Sequence, residues 1–259
     1  MGFVSTIIHS FIDGQKAISK LVDKRLDLKF TRDGYRDCAD SLVPSLLKPG
    51  ATIYDIGGGR TPFLSVDVKK RLGLTVIGLD ICAQELISAP SGAYDDIIVA
   101  DICQYKGKGD GDVVICLALL EHVEDVSAAL RAMCSILRKG GSLVIFAPSR
   151  NAIFARLNLL LPHAWKESLL FTFLPEDRKI RRFPAYYDRC TPMEIEALAK
   201  NQGLCISEER LYYMSTYFEC FSPVYLLWRI WTLLFYAVAP RQSAETFSLV
   251  LRKTNPFPD

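Results

Sequence analysis

The chain has 259 residues, half of them apolar, and its 31 Lys and Arg almost balance its 29 Asp and Glu. This composition supports a sizeable core and excludes a disordered or fibrous chain, while the balanced charge does not favour nucleic acid as a partner. Eight scattered cysteines form no Cys-x-x-Cys pair and no Cys/His group at zinc spacing, which predicts reduced thiols and no metal site. The N-terminus lacks the pattern of a secretion signal, so we expect a cytoplasmic protein.

Residues 1–50 are predicted to form an N-terminal helical cap. Apolar residues recur near helical spacing from Val4 to Leu21, and a further helix is predicted from Arg36 to Leu47. A Lys-Pro-Gly turn at 48–50 then separates the cap from the next segment.

Residues 51–150 alternate between strand and helix patterns, which predicts a doubly wound, Rossmann-like α/β core with a parallel sheet. The predicted strands are 52–56, 74–79, 96–100, 112–117 and 142–147, and the predicted helices are 62–72, 82–88 and 126–138. Two later strands, 204–211 and 246–252, would bring the sheet to seven.

The alternation stops after Pro148. Residues 151–190 are aromatic, leucine-rich and basic, which indicates a helical insertion or lid. Residues 191–259 return to the core with a helix over 191–201, for which Thr191 is the expected N-cap, Pro192 the first residue and Gly203 the stop signal. Within this last part, residues 222–239 form a strongly apolar helix.

Glycines and carboxylates follow the first three core strands. The first strand ends in Asp55-Ile-Gly-Gly-Gly, where Gly57, Gly58 and Gly59 allow a backbone turn to approach a nucleotide closely. Asp80 ends the second strand and Asp101 the third, so one acid can accept hydrogen bonds from ribose hydroxyls and the other can meet an adenine amino group. No Gly-Lys-Ser/Thr follows for a triphosphate, which favours an adenosine without phosphates. Capping of strands or helices is the alternative role of these aspartates.

At these residues the sequence resembles the class I S-adenosylmethionine-dependent methyltransferases, over roughly residues 35 to 150. The matching motifs are Asp55-Ile-Gly-Gly-Gly, Gly78-Leu-Asp-Ile, Ala100-Asp-Ile, the stretch from Asp112 to Val123, and Leu137-Arg-Lys-Gly-Gly-Ser-Leu-Val-Ile. The resemblance implies S-adenosylmethionine as cofactor. It implies that the turn from Asp55 to Gly59 contacts the methionine moiety, that Asp80 with Ile81 meets the ribose and Asp101 with Ile102 the adenine, and that Leu117 lies near the sulfonium.

One departure concerns the glycine loop. The family's third glycine is replaced by Thr61, followed by Pro62, which suits the first turn of a helix. A nicotinamide-dependent oxidoreductase would use the same turn and Asp80, but its third glycine and a Tyr-x-x-x-Lys set are missing. A methyltransferase-like scaffold that binds without turnover is a further alternative.

Four residues are candidates for catalysis at the methyl acceptor: His122, His163, Tyr187 and Asp188. His122 follows the fourth strand at the mouth of the site, and the resemblance implies contact with cofactor or substrate; helix-start packing is the alternative. His163 lies in the insertion, where a structural or surface position is the alternative. Tyr187 and Asp188, with Tyr186, would supply aromatic walls and an acid, unless they only pack the lid.

The apolar helix carries one narrow polar stripe, formed by Tyr225, Arg229, Thr232 and Tyr236. This helix is too short to span a bilayer, so we expect it to lie in the interface of an anionic membrane on the cytoplasmic side. Arg178–Arg182 and neighbouring cations would attract the anionic lipids. An amphiphilic or lipid-linked acceptor follows, such as a glycan intermediate, a glycolipid or a quinone-like ring, with O-methylation of a glycan intermediate favoured. A small-molecule enzyme that uses this helix as a homodimer contact is the alternative.

Overall fold

A computed structural model describes residues 3–160 and 184–254, with side chains from residue 9 onward, and its centre is a seven-stranded sheet. The strands are β1 (Thr52–Ile56), β2 (Thr75–Asp80), β3 (Asp96–Val99), β4 (Gly111–Leu117), β5 (Leu137–Pro148), β6 (Leu204–Tyr212) and β7 (Thr246–Lys253). Their order is β3-β2-β1-β4-β5-β7-β6, with β1 to β5 parallel and β7 antiparallel to both neighbours. The predicted Rossmann-like α/β fold with seven strands is confirmed.

Helices cover both faces of this sheet. In chain order they are α1 (Phe3–Asp23), α2 (Leu28–Thr31), α3 (Gly34–Asp37), α4 (Val43–Leu46), α5 (Val66–Leu72), α6 (Ala83–Ile87), α7 (Val126–Ile136), α8 (Ile153–Leu160), α9 (Pro192–Lys200) and α10 (Ser222–Val238). A π-helical turn, Cys38–Leu42, joins α3 to α4, and a 3₁₀ turn, Leu120–His122, follows β4.

The central strands are buried on both sides, as parallel strands between helical layers must be. Val114 and Ile145 belong to the cluster that α7 and α9 cover, whereas Ile115 and Val144 belong to the cluster on the opposite face, which α4 and α5 cover. Both clusters end at the carboxyl edge of β1, β4 and β5. The fold therefore holds the turns that follow these strands on a rigid base.

Three predicted helix boundaries are wrong. The helix expected from residue 62 begins at Val66, because Ser65 Oγ accepts the Val68 amide as its N-cap, so Pro62 lies in the preceding loop. The helix expected to reach residue 138 ends at Ile136, because Leu137 is extended and already pairs with Gly111 as the start of β5. The helix expected over 36–47 is interrupted by the π-helical turn.

The capped helix after the insertion is confirmed. Thr191 Oγ1 accepts the Glu194 amide at 3.3 Å, Pro192 is the first residue of α9, and Gly203 beyond its end has a φ of 71°. The hydroxyl of Thr191 also donates to the Glu194 carboxylate at 2.7 Å. This cap fixes the point at which the chain returns to the sheet after residue 190.

Candidate functional site

The glycine turn after β1 has a left-handed backbone that favours glycine. Gly57 and Gly59 have φ values of 76° and 50°, and the Gly57 amide donates to the Leu79 carbonyl at 2.7 Å. A Cβ on Gly57 would lie 2.9 Å from the Leu119 side chain, and one on Gly58 would lie 2.6 Å from the Tyr94 hydroxyl. Side chains are excluded here, so a ligand at this turn meets peptide groups.

The carboxylate of Asp55 makes its hydrogen bonds within the protein. Its side chain is buried, and its Oδ2 accepts the Phe63 amide at 2.8 Å, which ties the loop after the turn back to β1. Burial raises the pKa of Asp55 to about 6. In this turn, the peptide backbone around Gly57 is exposed and can therefore meet a ligand. The carboxylate of Asp55 instead holds the loop behind the turn in place.

Tyr94 is a component of this turn that the sequence analysis missed. Its hydroxyl donates to the Gly59 carbonyl at 3.1 Å and lies 3.5 Å from Asp55 Oδ2. Its ring covers Gly78, where a Cβ would be 2.8 Å from the ring. A glycine in the middle of a buried strand was the available signal, because it marks a close approach by another group.

The two other predicted acids lie along the same edge. Asp80 ends β2 beside Gly59, its Oδ1 accepts the Cys82 amide at 2.8 Å, and burial raises its pKa. Asp101 lies just beyond β3, with Oδ1 accepting the Cys103 amide at 2.9 Å. Because the strand order is β3-β2-β1, Asp80 adjoins the glycine turn and Asp101 lies one strand further along the same edge, next to Asp80. Asp80 Oδ2 lies next to Gly59, and Asp101 Oδ2 accepts a long hydrogen bond of 3.5 Å from Gln104 Nε2. A carboxylate oxygen has two lone pairs, so each can still accept from a hydroxyl or amino group.

The three apolar residues that are predicted to contact the cofactor differ in how far their side chains are exposed. Ile81, after Asp80, is 62% exposed, so its side chain is available to a ring that rests on this edge. Ile102 is buried in the core, and Leu117 is half-buried at the end of β4. Thus Ile81 and Leu117 offer side-chain surface, whereas Ile102 can offer a ligand mainly its backbone.

Arg60 and Glu85 form a second feature that was not predicted. Two guanidinium nitrogens of Arg60 each bind one carboxylate oxygen of Glu85 at 2.5 Å, which joins the glycine turn to α6. Glu85 Cβ also packs against Gly59. The cation next to the turn is thus neutralised within the protein, which agrees with a ligand that carries no phosphates.

The segment after β4 contains His122, which is predicted to act at the methyl acceptor, and is called the acceptor side below. Ala118 has a φ of 51°, an uncommon conformation for a residue with a side chain, and leads into the turn Leu120–His122. His122 Nδ1 lies 2.8 Å from the Pro184 carbonyl, so this nitrogen carries the proton and donates it. Glu121 is buried, and burial raises its pKa.

Residues 184–190 are held against this segment. The amides of Tyr186 and Tyr187 donate to the Glu121 carbonyl at 2.7 and 3.1 Å. Tyr187 is buried in the main core with a φ of 51°, and burial raises the pKa of its hydroxyl. Asp188 Oδ2 accepts the Val126 amide, the first of α7, at 3.1 Å.

The structure therefore brings three of the four predicted acceptor-side residues together. His122 is partly exposed at the edge, whereas Tyr187 packs in the core and Asp188 caps α7. His163 lies outside the described residues. Catalytic roles for these four residues stay predictions.

The helical cap contributes Tyr35, which no sequence pattern singled out. Its ring packs edge-on against Phe146 of β5, with centroids 5.8 Å apart, and half of the side chain is exposed. Burial and, next, the negative charge of Asp55 raise the pKa of Tyr35. An aromatic ring of the helical cap thus packs on Phe146 of β5 and lies near Asp55 of β1.

Comparisons with known proteins agree with this geometry. A family model of the methyltransferase domain matches residues 30–205, more than half of the chain. A ubiquinone biosynthesis O-methyltransferase from Xanthomonas axonopodis pv. citri is 31% identical over 175 residues, covering 64% of this chain and 68% of that protein. One from Cupriavidus pinatubonensis is 29% identical over 169 residues, covering 62% and 63%. The match thus spans slightly under two thirds of that relative's own length.

A solved structure shows the same fold with the cofactor in place. Magnesium protoporphyrin IX methyltransferase from Synechocystis, with bound S-adenosylmethionine, superposes with a TM-score of 0.51 at 19% identity, covering 85% of this chain and 80% of that one. The glycine turn and the acids at Asp80 and Asp101 fit this cofactor, which has a ribose and an adenine but no phosphate. The methyltransferase interpretation is confirmed over the nicotinamide alternative: the chain belongs to the class I S-adenosylmethionine-dependent methyltransferases.

Proposed function

We propose that this protein methylates a hydroxyl oxygen on an amphiphilic, quinone-like ring. The observation that carries the proposal is its similarity, near 30% identity, to proteins named ubiquinone biosynthesis O-methyltransferases. The alignments cover about two thirds of the length of these relatives. The acceptor of this protein is therefore a proposal, and an experiment that tests it is given below. The glycan intermediate favoured by the sequence analysis has no support from the relatives, so a ring acceptor takes its place.

Aromatic side chains at the acceptor edge support a ring. Tyr35 is half exposed and Tyr186 is 39% exposed. Tyr217 stacks on Phe154 with ring centroids 4.4 Å apart, and Phe154 packs against the core cluster that contains Tyr187, so this pair lies close to the same edge. Flat rings such as these favour a flat, partly apolar acceptor.

His122 is suited to take the proton of the acceptor hydroxyl. Bound S-adenosylmethionine supplies a methyl carbon that positive sulfur activates. Since Nδ1 of His122 donates to the Pro184 carbonyl, Nε2 is the nitrogen that can accept a proton, and it lies 4.0 Å from Glu121 Oε1. A lone pair of the acceptor oxygen would form the new O–C bond as the C–S bond breaks, while the O–H electron pair would stay on oxygen and the proton would pass to Nε2 of His122. The neutral thioether is the leaving group.

The substitution His122→Asn tests this role. The amide nitrogen of Asn can still donate to Pro184, whereas the basic nitrogen is lost. We expect kcat for a short-chain prenylated catechol to fall by about 10²- to 10⁴-fold, with unchanged affinity for S-adenosylhomocysteine. His9→Asn, on the exposed surface of α1, is the matched control. Unchanged turnover in His122→Asn would refute the base.

The acceptor class is tested with the wild-type protein and radiolabelled S-adenosylmethionine. Prenylated catechols should be methylated on oxygen, and lipid-linked sugars should not. Label in the sugar fraction alone would replace the ring acceptor by a glycan. Binding of S-adenosylhomocysteine without methylation of either class would instead support the non-catalytic scaffold.

The cofactor site has its own test in Asp80→Ala. Loss of charged hydrogen bonds to the ribose should weaken S-adenosylhomocysteine binding at least about tenfold in isothermal titration. Asp67→Ala removes an exposed carboxylate on α5 and should leave the affinity unchanged. Equal affinities for the two variants would contradict the assignment of Asp80.

The proposed setting is the cytoplasm, with the enzyme peripheral to the inner face of the membrane. All eight cysteines lie in the described residues and none of them forms a disulfide bond, which suits a reducing compartment. In residues 3–160 and 184–254, no helix has the length and apolar character needed to cross a bilayer.

A further inference from the structure

Helix α10 has its polar stripe turned inward. Tyr225, Arg229 and Thr232 are at most 1% exposed. Arg229 donates to Asp23 of α1 at 2.7 and 2.9 Å and to the Tyr213 carbonyl at 2.7 Å, while Thr232 donates to the Trp228 carbonyl at 2.9 Å. The polar groups of the stripe thus make their hydrogen bonds within the protein.

The outward face of α10 is entirely apolar. Its most exposed members are Val238 at 86%, Leu227 at 68% and Leu234 at 62%, and Trp231 is half exposed. All its exposed residues are Pro223, Val224, Leu226, Leu227, Ile230, Trp231, Leu234, Ala237 and Val238. A helix of 17 residues is about 25 Å long, so these side chains form one contiguous exposed apolar patch along it.

Helix α8 extends this surface. Leu157, Leu159 and Leu160 are exposed on α8. A groove of about 390 Å³ separates the two helices and is lined by Asn151, Ile153, Arg156, Leu157, Trp231 and Phe235. The α10–α8 face, defined as the outward residues of α10 with these three leucines, is therefore continuous across the groove.

The charge around the α10–α8 face is complementary to an anionic surface. Neither α8 nor α10 contains an acidic residue. Arg156 is the cation that lines the groove with Trp231. Lys29, 4.9 Å from the ring of Tyr236 near the end of α10, has the exposed carboxylate of Asp27 at 4.0 Å, so Arg156 carries most of the available positive charge. Cations at the border of an apolar helix favour anionic headgroups, and tryptophan suits the boundary between headgroups and acyl chains.

A protein partner fits this face less well than lipid does. Protein interfaces contain roughly one hydrogen bond per 100 to 200 Å². Among the outward side chains of α10, Trp231 Nε1 is the single polar group, because the stripe residues face inward. Lipid tails require no such bonds, and 17 residues with Arg229 do not span the bilayer.

We infer that the α10–α8 face inserts into the interfacial layer of an anionic bilayer. Phe154 of α8 stacks on Tyr217 next to the acceptor edge, so insertion brings that edge to the lipid surface. The biological purpose of insertion, access to an amphiphilic acceptor, rests on the proposed function. Insertion itself does not, because vesicle binding is measured without turnover.

Vesicle flotation tests the inference with the full chain. Wild-type protein should float with phosphatidylcholine vesicles that contain phosphatidylglycerol and bind vesicles of phosphatidylcholine alone more weakly. The double substitution Leu227→Gln/Leu234→Gln should weaken binding at least about tenfold, because two apolar side chains no longer enter the bilayer. Arg156→Gln should reduce the preference for phosphatidylglycerol.

The matched control is Ile87→Gln/Ile97→Gln, two exposed apolar residues on α6 and the β3 edge, which should float like wild type. Unchanged S-adenosylhomocysteine affinity shows that each variant is folded and separates failure here from failure of the proposed activity. Undiminished flotation of the Leu227/Leu234 variant would overturn the inference. So would a wild-type dimer, without vesicle binding, that this variant makes monomeric in sedimentation.

Discussion

Gly58 shows how closely the parts of the cofactor turn are packed. An added Cβ would collide with the Asp55 carboxylate and lie 2.6 Å from the Tyr94 hydroxyl. We expect Gly58→Ala to lower the free energy of unfolding by about 1 to 3 kcal/mol and to impair S-adenosylhomocysteine binding. Urea unfolding and isothermal titration measure the two effects.

Gly14→Ala is the control for that substitution. Gly14 lies within α1, and an added Cβ there has no neighbour within 4 Å. Better helix propensity should raise the free energy of unfolding by about 0.5 to 1 kcal/mol. Similar losses in both variants would show that the collision at Gly58 is unimportant.

The difference between Asp80 and Tyr94 explains which site residues the sequence could predict. Asp80 follows a strand at a fixed distance from the glycine turn, so local spacing and the family resemblance identify it. Tyr94 and Tyr35 reach the turn through contacts between segments distant in sequence. Only a glycine at position 78 gave a local sign of Tyr94, and Tyr35 had none.

Helix α10 is attached to α1 through a buried ion pair. Arg229 is 1% exposed and its partner Asp23 is 12% exposed. Asp23→Ala would leave the guanidinium buried without its anion, so we expect a loss of about 3 kcal/mol in the free energy of unfolding. Urea unfolding measures it.

Asp13→Ala on the exposed surface of the same helix should change stability by less than about 0.5 kcal/mol. A loss for Asp23→Ala no larger than this control would mean that the pair contributes little to the docking of α10.

The period of the polar stripe on α10 was predictable, but its direction was not. A narrow polar stripe on an apolar helix is usually the face that meets water. Here Asp23, about 200 residues earlier in the chain, supplies the anion that draws Arg229 inward. The ranges of the core strands were predicted from the local alternation of apolar segments, whereas the π-helical turn Cys38–Leu42 was not.

Buried acids make the stability of the whole molecule depend on pH. Burial raises the pKa of Glu245 to about 7 from an unfolded value of 4.5. The folded state then retains a proton that the unfolded state loses, so stability is full below pH 4.5 and falls as pH rises through about 7. We expect this group to cost roughly 1 to 3 kcal/mol at pH 8.

The substitution Glu245→Gln should remove this part of the pH dependence. Its side-chain oxygen can still accept the Trp228 indole, as Glu245 Oε1 does at 3.1 Å. Urea unfolding at pH 5 and pH 8 should show a smaller loss of stability than in wild type. Asp40→Asn, at an exposed position, should keep the wild-type slope. An unchanged slope in Glu245→Gln would contradict the prediction.

The position of β7 has a consequence for folding during synthesis. β7 is the last element in the described chain, yet it lies between β5 and β6. Until the ribosome releases residues 246–253, β5 and β6 each present an unpaired edge to other chains. Chaperone capture of stalled nascent chains should therefore persist through most of translation and end abruptly when this strand emerges and closes the gap.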